Sequence, residues 1–234
     1  MVKIVLCGHT GSMNRGSDAI VKSTADLLSE AGMEAVLASY KKDEDSLYGT
    51  KEYSEVIRYA DRKKNPTLRL LSLVFMIIKR RMTSAKIRQI PVVRYLKKNH
   101  ACSLSIGGDT YCYGDLPYQY VSMNGTCLKK NITSILWACS IEKERILQPE
   151  IYDDLKRYNL IFPREKLTYE NLIEAGFEKQ NIIKMCDPAF FLTPETVDLA
   201  WMDDRTWVGM NISPVVSFGI NPHKGLVINN YVKT

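Results

Sequence analysis

The chain has 234 residues, enough for one large hydrophobic core or for one domain and part of another. Apolar residues make up 45%, which argues for a folded globular protein. Its 32 basic and 26 acidic residues leave +6 overall, but the charge is unevenly spread. Between Arg58 and Lys98 stand 13 basic residues and one acidic residue, Asp61, so this stretch carries +12 and the remainder −6. Such asymmetry favours an anionic partner near the segment, whether a phosphate-bearing ligand, nucleic acid or an acidic lipid surface. The longest strongly apolar run, 70–78, is about half the length a membrane span needs. The opening residues start a short strand rather than a signal peptide, so the expected location is the cytoplasm. None of the six cysteines forms a Cys-x-x-Cys pair. Cys7, Cys102, Cys139 and Cys186 fall in or beside apolar strands, which suits buried, reduced thiols.

In chain order, a strand at 4–6 empties into a glycine-dotted loop, and Ser17 or Asp18 is expected to cap the helix running through Ala25, Leu27 and Leu28. A second parallel strand is predicted at 34–39, then a polar loop over 41–53 and a strand at 55–59. Asn65-Pro66 opens the basic section, with one helix at 68–81 and another at 84–98 broken near Pro91. A strand at 101–106 ends on Gly107-Gly108. A helix at 117–128, weakened by Gly125, leads to a strand at 133–138. A helix at 149–158 follows, with Pro149 in its first turn. The pattern continues with a strand at 160–162, a helix at 167–175 stopped by Gly176, and a strand at 182–185.

This alternation predicts a mostly parallel, Rossmann-like α/β sheet with helices on both faces. Strand exits at Gly8, Gly107, Ala138 and Pro163 are expected on one rim, where ligands of open α/β sheets collect. Beyond these elements, 207–213 reads as another strand, and Tyr231 and Val232 as the first apolar positions of an incomplete helix. The expected organisation is therefore one domain over 1–204, with 205–234 forming a linker and the first strand of a truncated second domain.

Three groups of residues carry candidate chemistry. The first comprises Gly8, Gly11, Asn14, Arg15, Gly16, Ser17 and Asp18. Its glycines permit positive φ and close approach of backbone to a ligand, and amides at a helix start attract anions. The spacing is neither the dinucleotide fingerprint nor a P-loop, and the alternative is a plain capped turn. The second is Gly107-Gly108-Asp109, followed by Tyr111, Tyr113 and Asp115. Here Asp109 serves either as a general base toward a ligand hydroxyl or as the cap of a tight turn. The third is Arg164-Glu165 and Asp187-Pro188-Ala189. Arg164 either clamps a carboxylate or phosphate, or pairs internally with Glu165 or Asp187, while Asp187 reads as a turn-former. His9, His100 and His223 are too scattered for a metal cluster, and no Ser-His-Asp order stands out, so no metal or cofactor is expected.

The run 68–81 is apolar nearly all round and ends in Lys79, Arg80 and Arg81. It reads as a helix buried between sheet and neighbouring helices, or as an element dipping into an acidic membrane surface. No aromatic-interleaved strand or recognition helix accompanies the charge, which sets nucleic acid aside.

Taken together, these motifs resemble the polysaccharide pyruvyl transferase family. That family's Asn-x-Gly-Asp/Ser-Glu-Ala is similar to Asn14-Arg15-Gly16-Ser17-Asp18-Ala19, and its triple-glycine turn to Gly107-Gly108-Asp109. Its Arg-Asp-x-x-Ser resembles Arg164-Glu165-Lys166-Leu167-Thr168, and its Asp-Pro-Ala matches Asp187-Pro188-Ala189. Its late strand resembles Val208-Gly209-Met210-Asn211-Ile212-Ser213-Pro214. The chain departs from the pattern at Asp109, at Glu165 and at Trp137-Ala-Cys-Ser140, where a more glycine-rich turn is usual. The resemblance implies a cytoplasmic transferase with two Rossmann-like domains facing a cleft. Such enzymes move a pyruvyl group from phosphoenolpyruvate to a saccharide, often lipid-linked. It also implies that this chain is the half shaping the acceptor side, with little activity alone because much of the donor site belongs to a missing second domain. A nucleotide-sugar-dependent glycosyltransferase half and a saccharide-binding or membrane-associating module are the alternatives.

Overall fold

The computed structural model describes residues 1–59, 66–78, 81–112, 116–193, 206 and 208. The chain divides into two compact units, Met1–Thr193 and Pro194–Thr234, and the elements below belong to the first. The expected strand at 207–213 and the helix start at 231–232 lie outside the described residues, as do Asp61, Lys79, Arg80, Tyr113 and Asp115.

The elements run β1 (Val2–Cys7), α1 (Arg15–Glu30), β2 (Met33–Ser39), α2 (Lys42–Leu47), a 3₁₀ turn (Thr50–Glu52), β3 (Glu55–Arg58), α3 (Pro66–Ile77), α4 (Arg81–Arg88) and α5 (Ile90–Lys98). They continue with β4 (Cys102–Ser105), α6 (Tyr118–Lys129), β5 (Ser134–Cys139), α7 (Lys143–Ile146), α8 (Pro149–Leu155), β6 (Leu160–Pro163) and α9 (Lys166–Glu174), then 3₁₀ turns at Lys179–Asn181 and Pro188–Phe191. The six strands form one sheet in the order β3-β2-β1-β4-β5-β6, and every pairing is parallel.

The alternation of side chains along β1 divides the core. Val5 and Cys7 face one way and pack with Val36, Ala38, Val92 and Leu96 of α5, and Cys127 of α6. Ile4 and Leu6 face the other way and pack with Ala35, Leu37, and Val21 and Ala25 of α1. A strand covered on both faces must be apolar at consecutive positions, which is why Ile4-Val-Leu-Cys7 carries no polar residue. Fully burying each such aliphatic side chain is worth roughly 1.5–3 kcal/mol. A third cluster under β5 and β6 joins Leu136, Ile161, Ile146, Leu155 and Leu172. After β1 the chain winds outward through β2 and β3, then returns to β4 on the opposite side. The crevice between the carboxyl ends of β1 and β4 is therefore the topological switch point, where such sheets hold ligands.

Several elements differ from expectation. The 41–53 segment is not a loop but α2 and a 3₁₀ turn. It lacks apolar periodicity and is supported by Asp43, Glu44 and Asp45 at the positive end of the helix. The basic section makes three helices, α4 and α5 parting at Gln89 just before Pro91. Helix α1 is capped by Asn14, not by Ser17 or Asp18, because the helix begins at Arg15 and the Asn14 side chain accepts from the Ser17 amide. Residues 182–185 run beside β6, with the Ile183 and Met185 amides donating to Ile161 and Pro163 carbonyls. They form a single bridge rather than a strand, since only Ile182 buries its side chain. Cys7 and Cys139 are buried as expected, but Cys186 is exposed and Cys102 half-buried.

The expected burial of 68–81 fails most clearly. Helix α3 buries Ser72, whose hydroxyl lies 2.9 Å from that of Ser84 in α4, and exposes Leu70, Leu71, Leu73, Val74, Met76 and Ile77. Only the Leu68, Ser72 and Phe75 stripe is shielded. No helix among the described residues is long and apolar enough to cross a membrane.

Candidate functional site

Two strand exits frame the crevice. Gly8 leaves β1 with φ +111° and Gly107 follows β4 with φ +134°, conformations that side-chain-bearing residues rarely adopt. The Tyr120 hydroxyl of α6 bridges them, 3.2 Å from the Gly8 carbonyl and 3.1 Å from that of Ile106. Across the mouth, α1 presents its N-terminus, with Asn14 Oδ1 accepting from the Ser17 amide at 3.2 Å. Asn14→Ala is expected to destabilise the domain by about 1 kcal/mol, read as a lower urea unfolding midpoint; an unchanged midpoint would show that the cap contributes nothing.

A cavity of about 810 Å³ opens between these exits. It is walled by Asn14, Gly16 and Ser17 from α1, by Gly107, Gly108 and Asp109 after β4, and by Arg164 after β6. Gly11, Arg15 and Asp18, also singled out in the sequence, do not line it. Gly11 packs against the Glu44 side chain, Arg15 stacks over the Tyr48 ring at 4.3 Å, and Asp18 accepts from the Tyr53 hydroxyl at 3.0 Å.

Arg164 takes the internal pairing. Its Nη1 donates to Asp187 Oδ2 at 2.9 Å and its Nε to Ser140 Oγ at 2.7 Å, while Nη2 pairs closely with Asp109. Glu165 is not a partner; it caps α9, accepting from the Thr168 amide at 2.9 Å. Asp187 is both turn-former and ligand of Arg164, since its other oxygen accepts from the Ala189 amide at 3.0 Å. Gly108, at φ +44°, lets the guanidinium lie against the backbone, because a Cβ there would come within 2.6 Å of Arg164 Nη1.

Sequence reasoning missed the fourth wall, where α4 adds Arg81, Ser84 and Arg88. Arg81 stacks over the Tyr118 ring at 5.6 Å, and Arg88 has no acidic partner among the described residues. Asp109 and Asp187 both pair with Arg164, so Arg88 is the arginine of this wall that has no acidic partner among the described residues. His9 and Asp45 were missed as a pair. Both are fully buried behind Ser17, and His9 Nε2 lies 3.0 Å from Asp45 Oδ1. Their signal was faint, a histidine directly after β1 and an acidic residue in a segment that reads as loop. No group of three or more His, Cys, Asp or Glu placed to hold a metal occurs among the described residues.

A parallel six-stranded sheet with a glycine-lined crevice at its switch point defines a Rossmann-like α/β domain. The family model for polysaccharide pyruvyl transferase matches residues 14–224, and the chain belongs to that family. No curated protein matches it. Among solved structures, UDP-GlcNAc 2-epimerase from Neisseria meningitidis bound to UDP-GlcNAc is similar over 80% of this chain and 47% of its own, with 13% identity and a TM-score of 0.50. The S. aureus MnaA–UDP structure is similar over 87% of this chain and 49% of its own, with 14% identity and a TM-score of 0.48. The apo lipopolysaccharide outer core galactosyltransferase WaaB is similar over 78% and 44%, with 11% identity and a TM-score of 0.45. The chain thus spans less than half the length of each of these three structures.

Proposed function

We propose that the chain is the acceptor-side half of an enzyme that transfers a pyruvyl group from phosphoenolpyruvate to a saccharide, with a second Rossmann-like lobe completing the donor site. The supporting observation is the convergence of the β1, β4 and β6 exits on one cavity that combines arginines with hydroxyl-binding groups. Two saccharide oxygens bond to C2 of the enol, phosphate leaves, and the two hydroxyl protons end on C3 and on phosphate. Arg88 and Arg164 supply positive charge for the anionic donor, and Asp109 and Asn14 orient hydroxyls. Phosphate release from phosphoenolpyruvate plus saccharide tests this. It is expected from the longer protein and hardly at all from these residues alone; robust turnover by the 234 residues would refute the half-enzyme account.

The likeness to an epimerase that holds UDP-GlcNAc favours a nucleotide-sugar donor as the second reading. Calorimetry on full-length protein separates them, since binding of UDP-GlcNAc without binding of phosphoenolpyruvate would replace the first reading by the second.

The acceptor is proposed to be lipid-linked, met at an acidic membrane surface on the cytoplasmic side. Helix α3 offers that surface six exposed apolar side chains, and its Met76 also lines the large cavity. Residues 62–98 contain no acid. Around a second cavity of about 420 Å³, Lys86, Arg94, Lys97 and Lys130 surround an apolar floor of Ile87, Ile90 and Val93. None of those four cations has an acidic partner among the described residues. Each cation near an anionic bilayer contributes about 1 kcal/mol. The protein should therefore sediment with vesicles containing phosphatidylglycerol, at least about 10-fold better than with phosphatidylcholine vesicles. Leu73→Asp with Ile77→Asp should abolish this. Sedimentation indifferent to lipid charge, or unaffected by the substitutions, would mean that another surface covers α3.

A further inference from the structure

Ser17, His9 and Asp45 form a continuous chain of polar contacts from the cavity wall into the interior. Ser17 Oγ lies 2.9 Å from His9 Nδ1, and His9 Nε2 lies 3.0 Å from Asp45 Oδ1. His9 and Asp45 are fully buried, whereas Ser17 is half-buried and reaches the cavity. Asp45 is held from several sides. The Ser12 amide donates to Oδ1 at 2.9 Å, the Ser12 hydroxyl donates to the same oxygen at 3.1 Å, and the Ser39 hydroxyl donates to Oδ2. Burial works against its charge, but the Ser39 hydroxyl, His9 and the Ser12 amide outweigh it and hold the carboxyl below the usual carboxylate range.

An ionised carboxylate on the Nε2 side keeps the proton of the neutral ring on that nitrogen. The Ser12 hydroxyl lies 3.3 Å from Nε2, 3.1 Å from Asp45 Oδ1 and 3.1 Å from the Thr50 hydroxyl, and the ionised carboxylate is the strongest acceptor of the three. Nδ1 is then an acceptor, and the single hydrogen of the Ser17 hydroxyl goes to it. Ser17 therefore turns only lone pairs toward the cavity. Such an oxygen accepts from a ligand hydroxyl and offers nothing to a phosphate or carboxylate oxygen. This gives the cavity two unlike ends, the arginines for anions and Ser17 for a hydroxyl.

We propose that Ser17, His9 and Asp45 are a proton relay for the attacking saccharide hydroxyl, an inference that rests on the transfer proposed above. Ser17 touches the substrate; His9 and Asp45 position and polarise it. The relay serves the second of the two attacks: as that acceptor oxygen bonds to C2 and the C2–O bond to phosphate breaks, its O–H bond breaks, the proton moves to Ser17 Oγ, and the serine's own proton moves to His9 Nδ1. Asp45 holds the resulting imidazolium. The proton returns through Ser17 to the departing phosphate, leaving the ring neutral for the next turnover.

Asp45→Asn preserves shape, but its amide can donate to Nε2, which moves the ring proton to Nδ1 and makes Ser17 a donor. Histidine-ring ¹⁵N spectra of full-length protein should show wild-type His9 protonated at Nε2 and the variant protonated at Nδ1. With phosphoenolpyruvate and the methyl glycosides of glucose, galactose and mannose, Asp45→Asn and Ser17→Ala should each lower kcat by about 100-fold or more at nearly constant KM for phosphoenolpyruvate. Ser17→Thr, which keeps the hydroxyl, should restore most of it. A wild-type ring protonated at Nδ1, or Asp45→Asn turning over like wild type, overturns the relay. If Asp45→Asn does not fold, half-buried Ser17→Ala carries the kinetic test. If wild-type protein pyruvylates none of the glycosides, calorimetry with phosphoenolpyruvate decides the transfer reading, whose failure removes the relay's reaction, while the ring spectra separately decide whether Ser17 faces the cavity as an acceptor.

Discussion

Gly8→Ala is expected to destabilise the domain by about 3–5 kcal/mol, enough to leave most of the protein unfolded or insoluble. At φ +111° an alanine is strained whatever space surrounds it. Its Cβ would also overlap the Ile106 carbonyl oxygen and the Tyr120 hydroxyl. The first of these is backbone and cannot swing aside. β4 is pinned to β1 by the Ile106 amide donating to the Cys7 carbonyl at 2.8 Å, so relief requires parting two central strands. Gly16 is the internal control. Its φ is not positive, and an added Cβ would meet only Asn14 Oδ1, at 3.6 Å. Gly16→Ala should therefore be neutral or stabilising by less than about 1 kcal/mol. Urea midpoints for the two variants test the contrast, and equal midpoints would show that the crevice floor is not as tightly built as described.

Arg164→Met is expected to cost about 2–3 kcal/mol of stability and, if the proposed donor role holds, at least about 10-fold in the phosphoenolpyruvate affinity of the full-length protein. The substitution leaves Asp109 and Asp187 facing one another without the cation between them. The cost is smaller than for a fully buried pair, because the side chains of Arg164, Asp109 and Asp187 keep 21%, 47% and 25% of their exposure. Adding Asp187→Asn to Arg164→Met should recover much of the stability by removing one unpaired charge, but none of the ligand affinity. Urea denaturation and calorimetry of the four proteins in this cycle separate the two roles. Recovery of affinity in the double variant would mean that Arg164 serves only the internal ion pair.

Much of the sheet was legible because consecutive apolar residues bounded by glycine or polar turns have few alternatives in an alternating chain. Ile4-Val-Leu-Cys7 and Ser134-Ile-Leu-Trp-Ala-Cys139 could hardly be other than covered strands. The Asn14–Ser17 stretch was legible as a helix start, though not its cap, since Asn, Ser and Asp are all good caps and only the observed backbone chooses among them. The Ser17–His9–Asp45 chain was not legible. Its members come from a strand exit, a helix start and a short polar helix, and no local pattern records that the fold brings α2 back over the first loop. Helix α3 misled for a different reason. An apolar run ordinarily means core, and its exposure depends on what lies beside it, which periodicity does not encode. The partners of Arg164 were half legible, Asp187 from its motif and Asp109 only from the way Gly108 folds the chain.

The end of β5 has a consequence for how firmly the cavity keeps its shape. Ala138 sits fully buried at φ +53°, where the pairing with β6 slips register between Leu136 and Cys139. That left-handed residue costs about 1–2 kcal/mol in a non-glycine. It also swings the following segment over, so that the Ser140 amide reaches the Gly108 carbonyl at 3.0 Å and the Ser140 hydroxyl supports Arg164. A methyl group in place of a hydrogen removes rotational freedom at this joint. The arginine is thus mounted on a stiff bracket, and re-aiming it means moving the end of β5 as well.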